Sequence, residues 1–386
     1  MSSNQYLSSK NRLFEHLQQL DNILYFPKTF IDMVKFFKNE FKFLDIFFRL
    51  QSFTHEPNLL DVTQKIQSLF RDAAVEFSEL HLDNYCDFNN SVQNEIWSIK
   101  MEIKAKYSFP KISLPLSANK DGIAIPKFVT EFIHSVVENL PNLVKIDDSC
   151  SLLYVPETME HVDVILKEVN LLHNFFCFVS ERFVEPQSQH LADFFTHVLA
   201  VAGYASTFFW LYLPDLAPEE INVLLSDFLR MRIKPIQPCI REIYVNVLQS
   251  LKATIQSGWY PNIQREPAAD TEASFVKIIL HNLAELPANS NSSQRVALND
   301  HLANLQEMLN LLRANIIHAP IQDLELLSVL RYIDTVIIDV GLLVYSLYKG
   351  EDEEKEDIAL AEVNPAQVLD QLPGNIQHII SAGLMD

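Results

Sequence analysis

The polar residues whose types and spacing could support chemistry are few in this chain. His190 and His197 stand seven residues apart, two helical turns, too far to share one metal ion without other ligands. Asp147-Asp148 opens a run that a Mg²⁺-binding helix would continue as DDxxD. Here it reads DDSCS, in an irregular stretch, with no second acidic motif. Asp334 and Asp339, in IDTVIIDVG, lie five apart on an otherwise apolar helix. Buried acids need partners, so a structural pairing is expected ahead of a catalytic role. Trp210 and Tyr212 could line a ligand slot, although such aromatics are more often core. The missing motifs say more. GxxxxGK[ST], which cradles phosphates on backbone amides, is absent, as are GxGxxG, HExxH and the GxSxG nucleophile elbow. No catalytic, cofactor-binding or metal-ligating residue is therefore assigned, and no cofactor is expected.

Such groups would have to be positioned by helices. Only seven of 386 residues are glycine, far below the usual share of about 7%, which leaves few of the turns that hairpins and dinucleotide-binding crossovers need. Nearly half the residues are apolar and 26 are Phe, enough for a large core. The centre of the chain is a pair of segments. Met159–Glu185 repeats apolar residues at Val162, Ile165, Val169, Leu172, Phe176 and Val179, and His190–Leu213 is apolar almost all round. The second is somewhat short of the roughly 20 apolar residues a bilayer requires, and His197, Ser206 and Thr207 interrupt it, so it reads as a buried central helix and not a transmembrane segment. The short EPQSQ connection makes the two an antiparallel hairpin.

Around this hairpin, helices are expected over Leu13–Tyr25, Thr29–Phe53, Leu59–Leu82, Gln93–Lys106 and Lys127–Leu140, the last ending before Pro141. Pro218 followed by Glu219 and Glu220 makes a good helix start, Pro235 ends that helix, and Pro238 begins another with Gly258 just past its end. Glu272–Leu286, Arg295–Ile317 and Ile321–Tyr348 follow. The fold class is all-α, in two or three packed antiparallel helical-bundle units: residues 1–141, 142–287 around the hairpin 159–213, and 288–386 with an acidic loop at 350–357. A shift of 128 residues lays Val34, Glu40, Leu44, Phe47 and Phe48 on Val162, Glu168, Leu172, Phe175 and Phe176. Diverged repeats would do this, and so would chance alignment of two Phe-rich helices.

The formal charge of −20, with Lys and Arg scattered, disfavours nucleic acid and favours basic protein surfaces. Cys86, Cys150, Cys177 and Cys239 lie far apart without a CxxC, so no disulfide scaffold is expected, and Cys177 reads as a small core residue. The opening MSSNQYLSSKNRLFEHL has no apolar signal core, which points to a reducing compartment, the cytosol or the nucleus. Glu351, Asp352, Glu353 and Glu354 are the candidate steering loop for a partner, with plain solvation as the bland alternative.

The run KIDDSCSLLYVPETMEHVDVILKEVNLLHNFFCFVSERFVEPQSQH, with FFTHVLAVAGYAS and YLPDLAPEEINVLLSDFLRMRIKPIQPCIREIYVNVLQSLKATI after it, resembles the N-terminal extension of the late blight resistance proteins of nightshade plants. DHLANLQEMLNLLRANIIHAPIQDLEL and TVIIDVGLLVYSLY resemble it too, and DTVIIDV looks like a degenerate EDVID-type motif. Those proteins are intracellular immune receptors with a nucleotide-binding switch and leucine-rich repeats, whose ATP-binding residues have no counterpart here. The resemblance implies a non-catalytic recognition and regulatory module in the hypersensitive defence response. It would contact a pathogen effector or a guarded host protein, and other receptor domains, with a homodimer as a further partner. It also implies a cytoplasmic location, with the nucleus or the membrane periphery as alternatives. An all-helical small-molecule carrier, or an enzyme without a recognisable motif, is the alternative class.

Overall fold

The computed structural model describes residues 3–22, 27–54, 59–79, 85–106, 124–145, 156–182, 189–212, 217–257, 269–285, 334–335, 337–342, 344–346 and 348. Among them all regular structure is helical: α1 (Ser3–Asp21), α2 (Lys28–Thr54), α3 (Leu60–Ser78), α4 (Tyr85–Lys106), α5 (Ala124–Lys145), α6 (Pro156–Arg182), α7 (Gln189–Thr207), α8 (Pro218–Phe228), α9 (Pro238–Gln256) and α10 (Ala269–Ala284). Helical turns follow within 334–346. The all-α expectation holds for the described residues.

The helices form where the apolar period of 3.6 is strongest. On α2 the stripe Phe30, Val34, Phe37, Phe41 and Leu44 is buried, and so are Phe43, Ile46 and Phe47, so this helix is covered on more than one side. On α3 a single face is buried, from Val62 and Ile66 through Phe70 to Phe77. α8 starts as expected, with Glu219 and Glu220 in its first turn and the Glu220 carboxylate accepting from the Ala217 N–H at 3.3 Å. α9 starts on Pro238, whose missing N–H costs nothing there.

Several boundaries differ from the sequence reading. α1 begins at Ser3, not Leu13, because Tyr6 donates to Asp45 Oδ1 at 3.0 Å and Lys10 pairs with Asp45 Oδ2 at 2.8 Å. That polar tether leaves no mark on apolar periodicity. α5 runs through Pro141 to Lys145 where a stop at Leu140 was expected. A proline so close to a helix end forfeits one late hydrogen bond, while the buried stripe Val129, Phe132, Ile133, Val136 and Leu140 holds the rest in register. α4 and α10 also begin earlier than predicted, at Tyr85 and Ala269. The segments 295–317 and 350–357, and Gly258, lie outside the described residues.

α7 and α8 each end in a π-helical turn, Phe208–Tyr212 and Leu229–Ile233. Before the first, the Ser206 and Thr207 hydroxyls donate to the Gly203 carbonyl at 3.0 and 2.8 Å, a back-bonding that loosens the ladder where it widens. Gly203 also lets the backbone approach Leu50: a Cβ there would lie 2.8 Å from Leu50 Cδ1. Gln189–Leu211 is long and apolar enough to cross a membrane, and 78% of its most apolar window is buried inside the protein.

Two compact units emerge, and neither is continuous in sequence. The first comprises Met1–Ala118, Glu131–Leu166 and Leu199–Leu225, the second Asn119–Thr130, Lys167–Val198 and Ser226–Asp386. In the first, α1 packs chiefly on α3 and α2, and α4 on α3. Phe41 and Phe70 meet edge to face at 5.2 Å, and Phe37 and Phe77 at 5.6 Å. In the second, Phe175 stacks on Phe275 at 4.9 Å and meets Tyr244 edge to face at 5.3 Å. The division into three contiguous units stays an expectation, since residues 286–333 lie outside the described set.

Candidate functional site

Among the described residues, the densest cluster of ionisable side chains is in the second unit. Glu168 on α6 is buried, and its Oε1 lies 2.6 Å from His281 Nε2 on α10. Lys234, just past the π-helical turn after α8, pairs with Glu285 and stands 3.6 Å from Glu168 Oε1. Lys167 Nζ lies 3.3 Å from His281 Nδ1. A protonated Lys167 can only donate, so Nδ1 accepts and the ring proton sits on Nε2, directed at Glu168. Beside the cluster a cavity of about 20 Å³, room for a single water, is lined by Glu168, Phe175, Ile233, Tyr244, Asn282 and Tyr345 among others.

Glu168, His281 and Glu285 bring their ligand atoms within 4.8 Å of one another, close enough to hold a metal ion. The Lys234 ammonium already bridges the two carboxylates and supplies the positive charge such an ion would bring. General base catalysis fits no better, because both ring nitrogens of His281 are engaged. The arrangement is a charge-compensated pin between α6, α10 and the turn after α8.

The first unit has a counterpart. Glu40 on α2 is buried and accepts from Lys100 Nζ at 3.0 and 3.2 Å and from Trp210 Nε1 at 3.0 Å. Trp210 also stacks on Phe43 and lies under the Lys100 ammonium at 5.0 Å, so it is core and lines no slot. Glu40 and Glu168 are the two carboxylates that the 128-residue shift superposes. Each is buried, and each is held by a lysine and a ring N–H.

The residues singled out from sequence are not brought together. His190 is exposed at the start of α7. His197 faces Tyr244, its Nε2 3.3 Å from the phenol oxygen, while that hydroxyl lies 2.9 Å from the Ile233 carbonyl. Burial, with the Arg232 charge nearby, lowers the His197 pKa to about 4, so the ring is neutral. Asp334 is fully buried against Arg182, with Nε to Oδ2 at 2.9 Å; Arg182 also donates to the Phe178 carbonyl and lies over the Phe178 ring. Asp339 pairs with Lys252 at 2.5 Å. Both aspartates are thus in structural pairs. Cys177 is half-buried beside His173, and burial raises its thiol to about 11, whereas Cys239 is exposed. Asp147, Asp148 and Glu351–Glu354 lie outside the described residues, as does the Tyr212 side chain.

The Glu168 cluster was missed from sequence. Its only signals were a lone acid inside the apolar run of α6 and the His281/Glu285 pair four residues apart at the end of α10. The second unit also exposes Met231 and Ile236. The first unit exposes Leu60, Val75, Val223 and above all Trp97, at 63% of its full area.

The profile of the NB-LRR family described as late blight resistance protein R1 matches residues 93–384. Three similar proteins of Solanum demissum are each 42% identical to this chain. One, a putative late blight resistance protein homolog, aligns over 94% of this chain and 29% of its own length. Late blight resistance protein R1-A aligns over 90% and 28%, and putative homolog R1B-13 over 90% and 31%. The chain thus spans under a third of the length of these relatives. No solved structure matches it. With three quarters of its residues inside that profile, the chain belongs to the late blight resistance protein R1 family of NB-LRR disease-resistance proteins.

Proposed function

We propose that this chain is a non-catalytic recognition and regulatory module of a plant disease-resistance receptor, working in the cytoplasm. In this reading it contacts a pathogen effector, or a host protein that effectors target, together with the remainder of the receptor. Family membership supports the receptor context. The observation that carries the mode of action is that the buried carboxylates Glu40 and Glu168 are spent on neighbouring cations and ring N–H groups, while large apolar residues such as Trp97 and Val223 stand exposed on helix faces. A helical surface of this kind takes a protein across its face and not a small molecule in a pocket. Gln189–Leu211 is read as a core helix, in keeping with its burial. The chain's charge of −20 favours a partner with a basic surface, and the run Glu351, Asp352, Glu353 and Glu354 is the segment proposed to steer it.

The test uses the purified chain and the remainder of the receptor produced separately. Trp97→Ala should weaken their association, or capture of an effector-targeted host protein, by about tenfold or more without lowering the melting temperature. Replacing Glu351, Asp352, Glu353 and Glu354 with Ser should slow association and flatten its salt dependence. Unchanged binding in Trp97→Ala removes that face, and unchanged association removes the acidic run. A concentration-dependent rise in melting temperature with a small molecule would instead favour the carrier reading.

A further inference from the structure

α8 and the π-helical turn after it form one unbroken helix, because Phe228 between them keeps helical dihedrals, φ −59° and ψ −47°. Its inner face, Ile221, Leu225, Phe228, Leu229 and Ile233, is buried. Its outer face follows from the same spacing: Glu219 and Glu220, then Val223, then Asp227, then Arg230 and Met231, all exposed. Val223 keeps 61% of its area and Met231 53%, so apolar surface stands in the middle of this face and again at its end. Gln237 Nε2 meets Met231 Sδ at 3.0 Å and holds that side chain in place. These residues lie on a single helix, whose backbone alone fixes their order and spacing.

The charges along this face are sorted. The first turn carries two carboxylates, and the last carries Arg230, with Arg232 on its flank. None of them makes an ion pair with a described residue, and Glu220 only accepts from the Ala217 N–H. Acids first and bases last suit the helix dipole, which is the plain reading of the charges. The dipole does not call for an exposed valine and methionine on the same face. A face that is acidic at one end, basic at the other and apolar between is complementary to itself run backwards. Glu220 and Arg230 stand five residues to either side of Leu225. With a two-fold axis at that level, Glu220 of one helix meets Arg230 of the other, and the two Val223 side chains meet beside the axis.

We propose that this outer face pairs with a second copy of the chain, the two helices running antiparallel about a two-fold axis. Glu219 and Glu220 of each copy face Arg230 and Arg232 of the other, and Val223 packs on Val223 at the centre. Such an isologous contact closes on itself and stops at two copies. One helix from each copy, about 24 Å long, makes a contact at the small end of specific interfaces, so the pair is weak and reversible. Asp227 is the discordant group, since it nears its counterpart by the axis. Two copies of charge −20 repel, but at about 0.15 M salt that repulsion is screened beyond roughly 8 Å, while pairs in contact persist. This pairing is independent of the receptor reading.

Sedimentation velocity on the full chain, carried into the high micromolar range, should show a reversible monomer–dimer equilibrium. Glu219→Lys with Glu220→Lys should weaken it by about tenfold or more, and so should Arg230→Glu with Arg232→Glu, since each makes both ends of the face alike in sign. Mixing those two variants should restore a dimer, because every end then meets its opposite. Val223→Ser and Asp227→Asn leave the helix ends untouched and decide the matter whatever the reversals do to folding. The first should weaken the dimer and the second should tighten it. A wild-type chain that stays monomeric throughout would overturn the proposal. So would a dimer indifferent to Val223→Ser and to the charge reversals, which would place the contact elsewhere. Loss of partner binding in Trp97→Ala bears on the receptor reading alone and leaves this result standing.

Discussion

Asp334 is a residue on which the second unit depends sharply. It is fully buried and faces a guanidinium that is itself only 4% exposed. Removing one partner of such a pair strands the other charge, which costs about 3–5 kcal/mol, although the intact pair adds little net stability. Asp334→Asn should therefore lower the denaturation midpoint severely, while a joint Asp334→Leu, Arg182→Met exchange should recover much of the loss. Urea titration of the three proteins checks this. That Asp334 would be paired was legible from its place on an apolar helix. Its partner was not, since Arg182 lies 152 residues away and charge complementarity at that separation leaves no local pattern. His197 makes a second residue-scale case. Its folded pKa of about 4 lies below the ordinary 6.5, so the unfolded chain binds the proton more readily. Its contribution is complete above about pH 6.5 and is lost as pH falls toward 4, by up to about 3 kcal/mol. In His197→Gln the stability profile across that window should be shallower. An unchanged slope between pH 6.5 and 4 would mean that folding does not hold the pKa of this ring down.

At the scale of elements, the apolar period located nearly every helix and misplaced several of their ends. Where a boundary is set by packing, as on α2 and α3, the stripe shows it. Where a polar contact sets it, as Tyr6 and Lys10 do through Asp45 for α1, the stripe is silent. Pro141 shows the opposite failure: a strong local stop signal is overridden by burial of the turns before it. α7 fits its central expectation, with Ala202 and Ala205 at 1% and 0% exposure. Ala202→Asp would bury a carboxylate among apolar neighbours and should cost several kcal/mol, about enough to abolish soluble expression. An equally soluble and equally stable mutant would show that the helix can yield. The Glu168 cluster was illegible for a similar reason as Arg182. Its five side chains come from α6, the end of α10 and a turn, and only the fold makes them neighbours.

The whole molecule is divided in a way that linear reading does not show. Unit assignment changes inside α6, between Leu166 and Lys167, and inside α7, between Val198 and Leu199. The first unit therefore needs Leu199–Leu225, which includes Trp210 on Glu40 and Gly203 under Leu50. A crossover between this chain and a diverged relative has consequences that follow from this interleaving. A junction after Lys145 looks safe because it falls at the end of α5, yet it takes the first unit's α1–α4 from one parent and its Trp210 segment from the other. Exchanging residues 199–225 together with 1–118 and 131–166 keeps that core in one lineage. The first chimera should melt well below both parents and the second close to them, as calorimetry would record. Recombination among family members would then be filtered by inheritance of whole cores and not by contiguous blocks, so that segments distant in the gene descend together.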